Sequence, residues 1–139
     1  PKGVIAYLED NKGQRQYFNS DDNCLDMPMA VLINQGTASA SELMAGSLKA
    51  HGLATVIGEK SYGKAVGQSL YPLTSKTAIY LTNARYFTPN GECIDKVGIE
   101  PDIKVSLAED LIGKISVLEP EQDAQLSKAL EVLKGKLGE

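Results

Sequence analysis

Apolar residues come first in short strand-like runs and then, further along, at helical spacing. Val4-Ile5-Ala6-Tyr7-Leu8 predicts a strand, Asn11-Lys12-Gly13 a turn, and Gln14 to Phe18 a second strand, so the chain opens as a hairpin. Asn19 to Asp26 is polar and predicts a loop. Met29-Ala30-Val31-Leu32-Ile33 is a continuous apolar run, the pattern of a strand buried on both faces. It ends at Asn34-Gln35-Gly36, where the chain must turn. Beyond Thr37 the apolar positions Leu43, Met44, Ala45 and Leu48 recur at helical spacing, and the helix is expected to stop at His51-Gly52. Ala54-Thr55-Val56-Ile57 is a further buried strand. Strand, helix, strand in that order implies an α/β crossover unit.

Gly58 to Gly67 is a glycine-punctuated loop. Gln68 to Leu73 and Thr77 to Tyr86 predict strands, Thr88-Pro89-Asn90-Gly91 a turn, and Ile103 to Leu107 a short strand. Glu121 to Lys134 predicts a closing helix with Leu126, Ala129, Leu130 and Leu133 along one face. A chain of 139 residues with 42% hydrophobic composition fits one domain over residues 1–139. The net charge of −4, with Lys and Arg scattered, argues against a nucleic-acid partner, because phosphate binding needs a basic face. No apolar run reaches the length of a membrane span. The opening Pro1-Lys2-Gly3 has no start methionine and no signal-peptide pattern, so the sequence reads as a trimmed chain. The two cysteines and one histidine do not make a zinc spacing. Cys24 and Cys93 fit one disulfide in an oxidising compartment, or two half-buried thiols.

Ser39 is the first candidate for chemistry. It lies where a buried strand gives way to a helix through small residues. A hydroxyl there sits at the positive end of the helix dipole, beside unpaired backbone N–H groups able to hold an oxyanion. Ala38 and Ala40 leave room for a peptide backbone. Ser39-Ala40-Ser41-Glu42 is equally a capping box, with Glu42 at the third helical position. A nucleophilic serine needs a base. His51 stands twelve residues away at the far end of the same helix, about 18 Å at 1.5 Å per residue, too far for a hydrogen bond. It is expected to meet the helix's terminal carbonyls instead. A lysine base must be neutral, hence desolvated and kept from carboxylates. Lys64, between Gly63 and Ala65-Val66-Gly67, has that context, and it also fits a plain surface-loop lysine. Lys60 follows Glu59 and reads as a solvated charge. Gln68, four positions past Lys64, is placed to orient the amine or is simply a polar strand residue. Gly58 to Ala65 approaches a phosphate-binding loop, but Ala65 stands where Ser or Thr is needed and no helix follows.

Three ordered blocks carry a resemblance. They are Val31 to Glu42, Gly58 to Lys64, and Thr82 to Gly91 continuing to Gly98-Ile99-Glu100-Pro101-Asp102. Together they resemble the catalytic core of the tail-specific (carboxy-terminal processing) serine proteases, from Met29 through Ile103 and more weakly back to Gly3. The resemblance implies a ClpP/crotonase-like α/β fold of stacked β-β-α units. This chain would be the C-terminal part of an incomplete core, with the PDZ and N-terminal segments absent. It implies Ser39 as nucleophile, since the family separates serine and lysine by 25 positions and Ser41 does not fit. It further implies Lys64 as base, Gln68 as its orienting partner and the backbone N–H of Ala40 as oxyanion donor. A second oxyanion N–H would come from an upstream glycine pair that the sequence does not contain. Some family members carry an acidic residue near the end of the nucleophile helix, where Lys49, Ala50 and His51 stand here.

The function implied is serine endopeptidase activity near protein C-termini through a Ser-Lys dyad, with no metal or cofactor. Polypeptides with exposed tails would be the substrates, and an extracytoplasmic site (periplasm, envelope or lumen) the setting. Two other readings stand beside it. One is a non-catalytic truncated core that self-associates, as a homo-oligomer or swapped dimer, or complements its N-terminal half through an open strand edge. The other is a crotonase-type acyl-CoA enzyme, for which no residue suggests a CoA site.

Overall fold

The computed structural model describes residues 1–114 and 118–138. Its elements, in chain order, are strands β1 (Gly3–Asp10), β2 (Arg15–Ser20) and β3 (Met29–Ile33), helix α1 (Ala40–Ala50), strands β4 (Ala54–Gly58), β5 (Val66–Pro72), β6 (Ala78–Phe87) and β7 (Ile103–Lys104), a 3-10 turn at Glu109–Leu111, and helix α2 (Ala124–Leu137). Two sheets form among the described residues. An antiparallel sheet runs β2-β1-β6-β5, and a parallel sheet runs β3-β4-β7. The fold is mixed α/β, as expected.

β3, α1 and β4 make the crossover unit, with Met29 opposite Ala54 and Ile33 opposite Gly58. Its helix stops where expected. Gly52 takes the left-handed conformation (φ 66°), and its N–H donates to Lys49 O at 2.9 Å. The core lies between α1, the parallel sheet and the 94–99 loop. It gathers Ile33, Ala45, Val56, Ala65, Ile94 and Ile99, flanked by Val31, Leu43 and Tyr86. On the other sheet Tyr7 stacks on Phe87 with ring centroids 4.9 Å apart.

Five expectations are corrected by the structure. β3 is an edge strand, and Leu32 is exposed, so its apolar run is not buried on both faces in this chain. The strand expected at Ile103 to Leu107 ends at Lys104. α2 starts at Ala124 rather than Glu121, because the Asp123 carboxylate caps it by accepting from the N–H groups of Gln125 and Leu126. Its inward face carries buried Gln125 and Ala129 with half-buried Leu126 and Leu133, while Leu130 is exposed. Gln125 turns inward because its Nε2 donates to Val105 O at 2.8 Å. Finally, both cysteines are free thiols, and Cys24 is exposed rather than half-buried. No helix among the described residues is long and apolar enough to cross a membrane.

Asp102 ties the 99–104 segment to β4. Its backbone N–H donates to Val56 O at 2.7 Å, and its carboxylate accepts from Val56 N–H at 2.9 Å and pairs with Lys49 at 3.0 Å. Burial pushes this carboxyl upward, but the Val56 N–H and the Lys49 ammonium outweigh it and hold the group below its ordinary value of 3.8. A carboxylate lowered on folding stabilises the fold above its unfolded pKa, and that stability is lost as pH falls through the folded value. The melting temperature of the native protein should therefore exceed that of Asp102→Asn at pH 7. The gap should close as pH is taken down through and below the ordinary aspartate range. A gap that stayed constant to acid would remove the carboxylate from the account.

Candidate active site

Ser39 is presented by a short, fully bonded connection. After β3, Asn34 closes a turn on itself. Its Oδ1 accepts from Gly36 N–H (2.8 Å), its N–H donates to Thr37 Oγ1 (3.0 Å), and its carbonyl accepts from Thr37 N–H (2.9 Å). Two residues after Thr37, Ser39 adopts φ 61°, ψ −124°, a conformation that side-chain-bearing residues rarely take. Such strain costs about 1–3 kcal/mol and persists only where surrounding bonds hold it. Ser39 and Glu42 are disposed as a capping box, and Glu42 Oε2 accepts from Ser39 N–H at 2.9 Å. The Ser39 hydroxyl itself forms no cap hydrogen bond, and the side chain is exposed. Among the described residues the Ala40 N–H, next along the helix mouth, has no acceptor.

The loop carrying Lys64 is laced to this elbow and to the 96–99 segment. Tyr62 N–H donates to Thr37 O at 2.9 Å, and Lys96 N–H to Gly63 O at 2.7 Å. Ser61 N–H donates to Ile99 O at 3.1 Å, while Ser61 Oγ accepts from Ile99 N–H at 2.6 Å. Gly63 has φ 87°, and a Cβ there would stand 2.9 Å from the backbone nitrogen of Gly98. Burial alternates along the segment. Ser61, Gly63 and Ala65 point inward, while Tyr62 and Lys64 point outward.

Glu42 joins the two halves. The whole residue is inaccessible to solvent, and its carboxylate accepts four hydrogen bonds. Oε1 takes the Ser61 hydroxyl at 2.6 Å and Gly63 N–H at 2.7 Å. Oε2 takes Lys64 N–H at 2.9 Å as well as Ser39 N–H. The amides of Ser39 and Lys64 thus share one oxygen atom, and twice 2.9 Å is the most that can separate them.

The other expected residues fall as follows. Lys64 is exposed in this chain, so the apolar surroundings expected from Ala65-Val66-Gly67 do not enclose it; Ala65 and Gly67 are buried and Val66 only half-buried while the lysine is exposed. Among the described residues its amine has no ion pair. Lys60 does have one, with Glu100 at 3.1 Å, and Lys104 shares that carboxylate at 3.2 Å. The hydrogen bonds from Lys60 and then Lys104 hold the Glu100 carboxyl below its ordinary value. Gln68 lies on the same exposed side as Lys64, but its Nε2 donates to Thr82 Oγ1 at 3.3 Å. His51 and Ser39 cap opposite ends of α1, as expected, yet the His51 Nε2 meets Val4 O on β1 at 2.8 Å rather than a helix carbonyl. An apolar cleft of about 510 Å³ opens beside Ala40, between α1 and the β1 and 20–29 segments, lined by Val4, Ile5, Leu25, Leu43, Met44 and Leu48 among others. Ser61 was not singled out from sequence, and Glu42 was read only as a helix-capping residue. A serine three residues before Lys64 gives no pattern of its own.

Comparison with known proteins places the chain among peptidases. Residues 1–105 match the model of peptidase family S41. The chain is 40% identical over 136 residues to a carboxyl-terminal-processing protease of Synechocystis sp., covering 97% of this chain and 31% of that protein. It is 46% identical over 104 residues to the chloroplastic carboxyl-terminal-processing peptidase 2 of Arabidopsis thaliana, covering 73% of this chain and 20% of that one. The solved structure of a photosystem II D1 C-terminal processing protease superposes with a TM-score of 0.70 at 38% identity, over 81% of this chain and 30% of that one. The chain thus spans less than a third of the length of each of these proteins.

Proposed function

The chain belongs to peptidase family S41, and on that premise we propose that it carries the Ser39–Lys64 dyad of a serine endopeptidase that cleaves polypeptides near their C-termini. The observation that carries this reading is the pairing of a strained serine at a helix mouth with a lysine whose backbone amide hangs on the same carboxylate oxygen. Residues 1–139 form the C-terminal part of the catalytic core. In this reading the rest of the core and a second oxyanion donor are expected from other polypeptide; the chain spans about a third of its relatives' length.

In this mechanism neutral Lys64 takes the Ser39 proton as Oγ attacks the scissile carbonyl, and the Ala40 N–H holds the resulting oxyanion. The Lys64 ammonium then protonates the departing amine, leaving an acyl-serine. A water gives its proton to Lys64 and attacks the ester; as the bond from the acyl carbon to Ser39 Oγ breaks, Lys64 returns that proton to Oγ, releasing the new C-terminus and restoring the neutral amine. The lysine must lose its solvent to do this, and the missing cover comes from polypeptide beyond this chain or from the bound substrate. Gln68 orients the amine by exchanging its long 3.3 Å bond to Thr82 for one to Lys64. Substrates are polypeptides with exposed C-terminal tails, met outside the cytoplasm or in a plastid-type lumen; the relatives' names speak of carboxyl-terminal processing and, for one, of the chloroplast.

The test is turnover by the intact protein on an unfolded polypeptide with a free C-terminal tail. Ser39→Ala should lower it by about 10³-fold or more with the melting temperature kept. A Ser41→Ala variant, one helix position on from Ala40, should remain active. Turnover surviving in Ser39→Ala would end the assignment.

A further inference from the structure

A helix-capping glutamate at the third helical position ordinarily returns to one backbone N–H. Glu42 accepts from four donors, and these come from three places in the fold: the elbow at Ser39, the hydroxyl at Ser61, and the consecutive amides of Gly63 and Lys64. Ser61 in turn fixes Ile99 through both its backbone N–H and its Oγ. No atom of Glu42 reaches solvent, so no water shares in this arrangement from outside. Capping alone does not require a carboxylate to reach across to the segment that brings the lysine.

We propose that Glu42 is a positioning residue for the reaction: its carboxylate sets the distance and register between the backbone carrying Ser39 and the backbone carrying Lys64, and it locks the strained conformation at Ser39. The inference rests on the Ser39–Lys64 reading. It adds that the dyad is assembled through a buried anion that touches neither the substrate nor the reacting atoms. All four partners donate and the carboxylate only accepts, which makes the chemistry specific to a carboxylate.

An amide of the same shape cannot reproduce the set. In Glu42→Gln the oxygen can keep Ser39 and Lys64 only by turning the NH₂ toward Ser61, whose hydroxyl can accept, and toward Gly63, whose N–H then faces a donor. The opposite flip frees Ser39 and Lys64 from each other. In Glu42→Leu all four donors lose their acceptor. Because proton transfer depends steeply on the placement of nucleophile and base, the loss should appear in kcat rather than in KM.

The experiment is steady-state kinetics of the intact protein on a tail-bearing unfolded polypeptide, with melting temperatures measured alongside. Expected is a kcat order of Glu42 above Gln above Leu. Gln should fall about tenfold, Leu about 100-fold, and KM should stay within about threefold. If the Leu variant does not fold, the Gln variant carries the test. A folded Gln or Leu variant with kcat within about twofold of the parent, or one in which KM alone moves, would overturn the proposal. Ser39→Ala is run beside them. If it too keeps its turnover, the dyad reading itself has failed. If it is dead while Glu42→Gln is fully active, only the role of Glu42 has failed.

Discussion

Lys64→Ala should cost the intact protein about 10³-fold or more in turnover while leaving its melting temperature within a degree or so. The two halves of that statement have separate causes. The activity is lost because, in the proposed mechanism, one amine serves as base for the serine, acid for the leaving amine and base for the water. The fold is kept because the Lys64 side chain is exposed and its backbone N–H, which an alanine also has, makes the bond to Glu42. Lys64→Arg should fail nearly as completely, since a guanidinium does not give up its proton in a protein. Lys60→Ala, in the same loop, should fall by no more than about twofold, because it removes only an exposed pair with Glu100. Rates that were equal in the Lys64 and Lys60 variants would contradict the assignment of the base.

The second large effect concerns the fold that holds the lysine loop. Gly98 has φ 75°, and a Cβ at that position would lie 2.4 Å from Ser61 O and 3.1 Å from Ser61 Oγ. Real carbons do not approach a carbonyl so closely, and a backbone carbonyl cannot swing aside as a flexible side-chain end can. Gly98→Ala must therefore push the Ser61 segment away from Ile99, breaking the bonds at Ser61 that also reach Glu42. The expected cost is about 3 kcal/mol, combining an unfavourable backbone conformation with displaced hydrogen bonds. For a domain of this size that is a fall of roughly 10 °C in melting temperature. Gly135→Ala is the matched control. Gly135 lies within α2, and a Cβ there meets nothing within 4 Å. That variant should gain roughly 0.5–1 kcal/mol from helix propensity. Equal melting temperatures for the two variants would show that the Ser61–Gly98 contact does not constrain the protein.

Much of the fold could be read directly from the sequence. Apolar runs marked β1, β3 and β4, helical spacing with a terminal glycine marked α1, and the turn at Asn11-Lys12-Gly13 marked the opening hairpin. Failures came where one residue's hydrogen bond overrode the local pattern. Asp123 shortened α2 at its start by capping it, and Gln125 displaced Leu130 from the inward face by bonding Val105 O. β3 was read as doubly buried because its apolar run says nothing about whether a neighbouring strand is present.

At the site, sequence physics could locate Ser39 and Lys64 but could not choose between a nucleophile and a helix cap, or between a base and a loop lysine. The spacing seen in a known family made that choice. What no pattern revealed was the link between them. Glu42 and Ser61 lie 19 residues apart, and their hydrogen bond exists only once α1 and the lysine loop have packed. The expectation of a desolvated lysine failed for a related reason. Burial alternates residue by residue from Ser61 to Ala65, so the apolar neighbour Ala65 is buried while Lys64 itself is exposed.

A crystal structure of the intact protein would measure the separation of the Ser39 hydroxyl oxygen and the Lys64 amine nitrogen. The account predicts about 3 Å, hydrogen-bond distance, with the amine shielded from bulk water and Glu42 still gripping both backbones. An amine left in solvent well out of reach of the hydroxyl, in a protein that nonetheless cleaves its substrate, would contradict it.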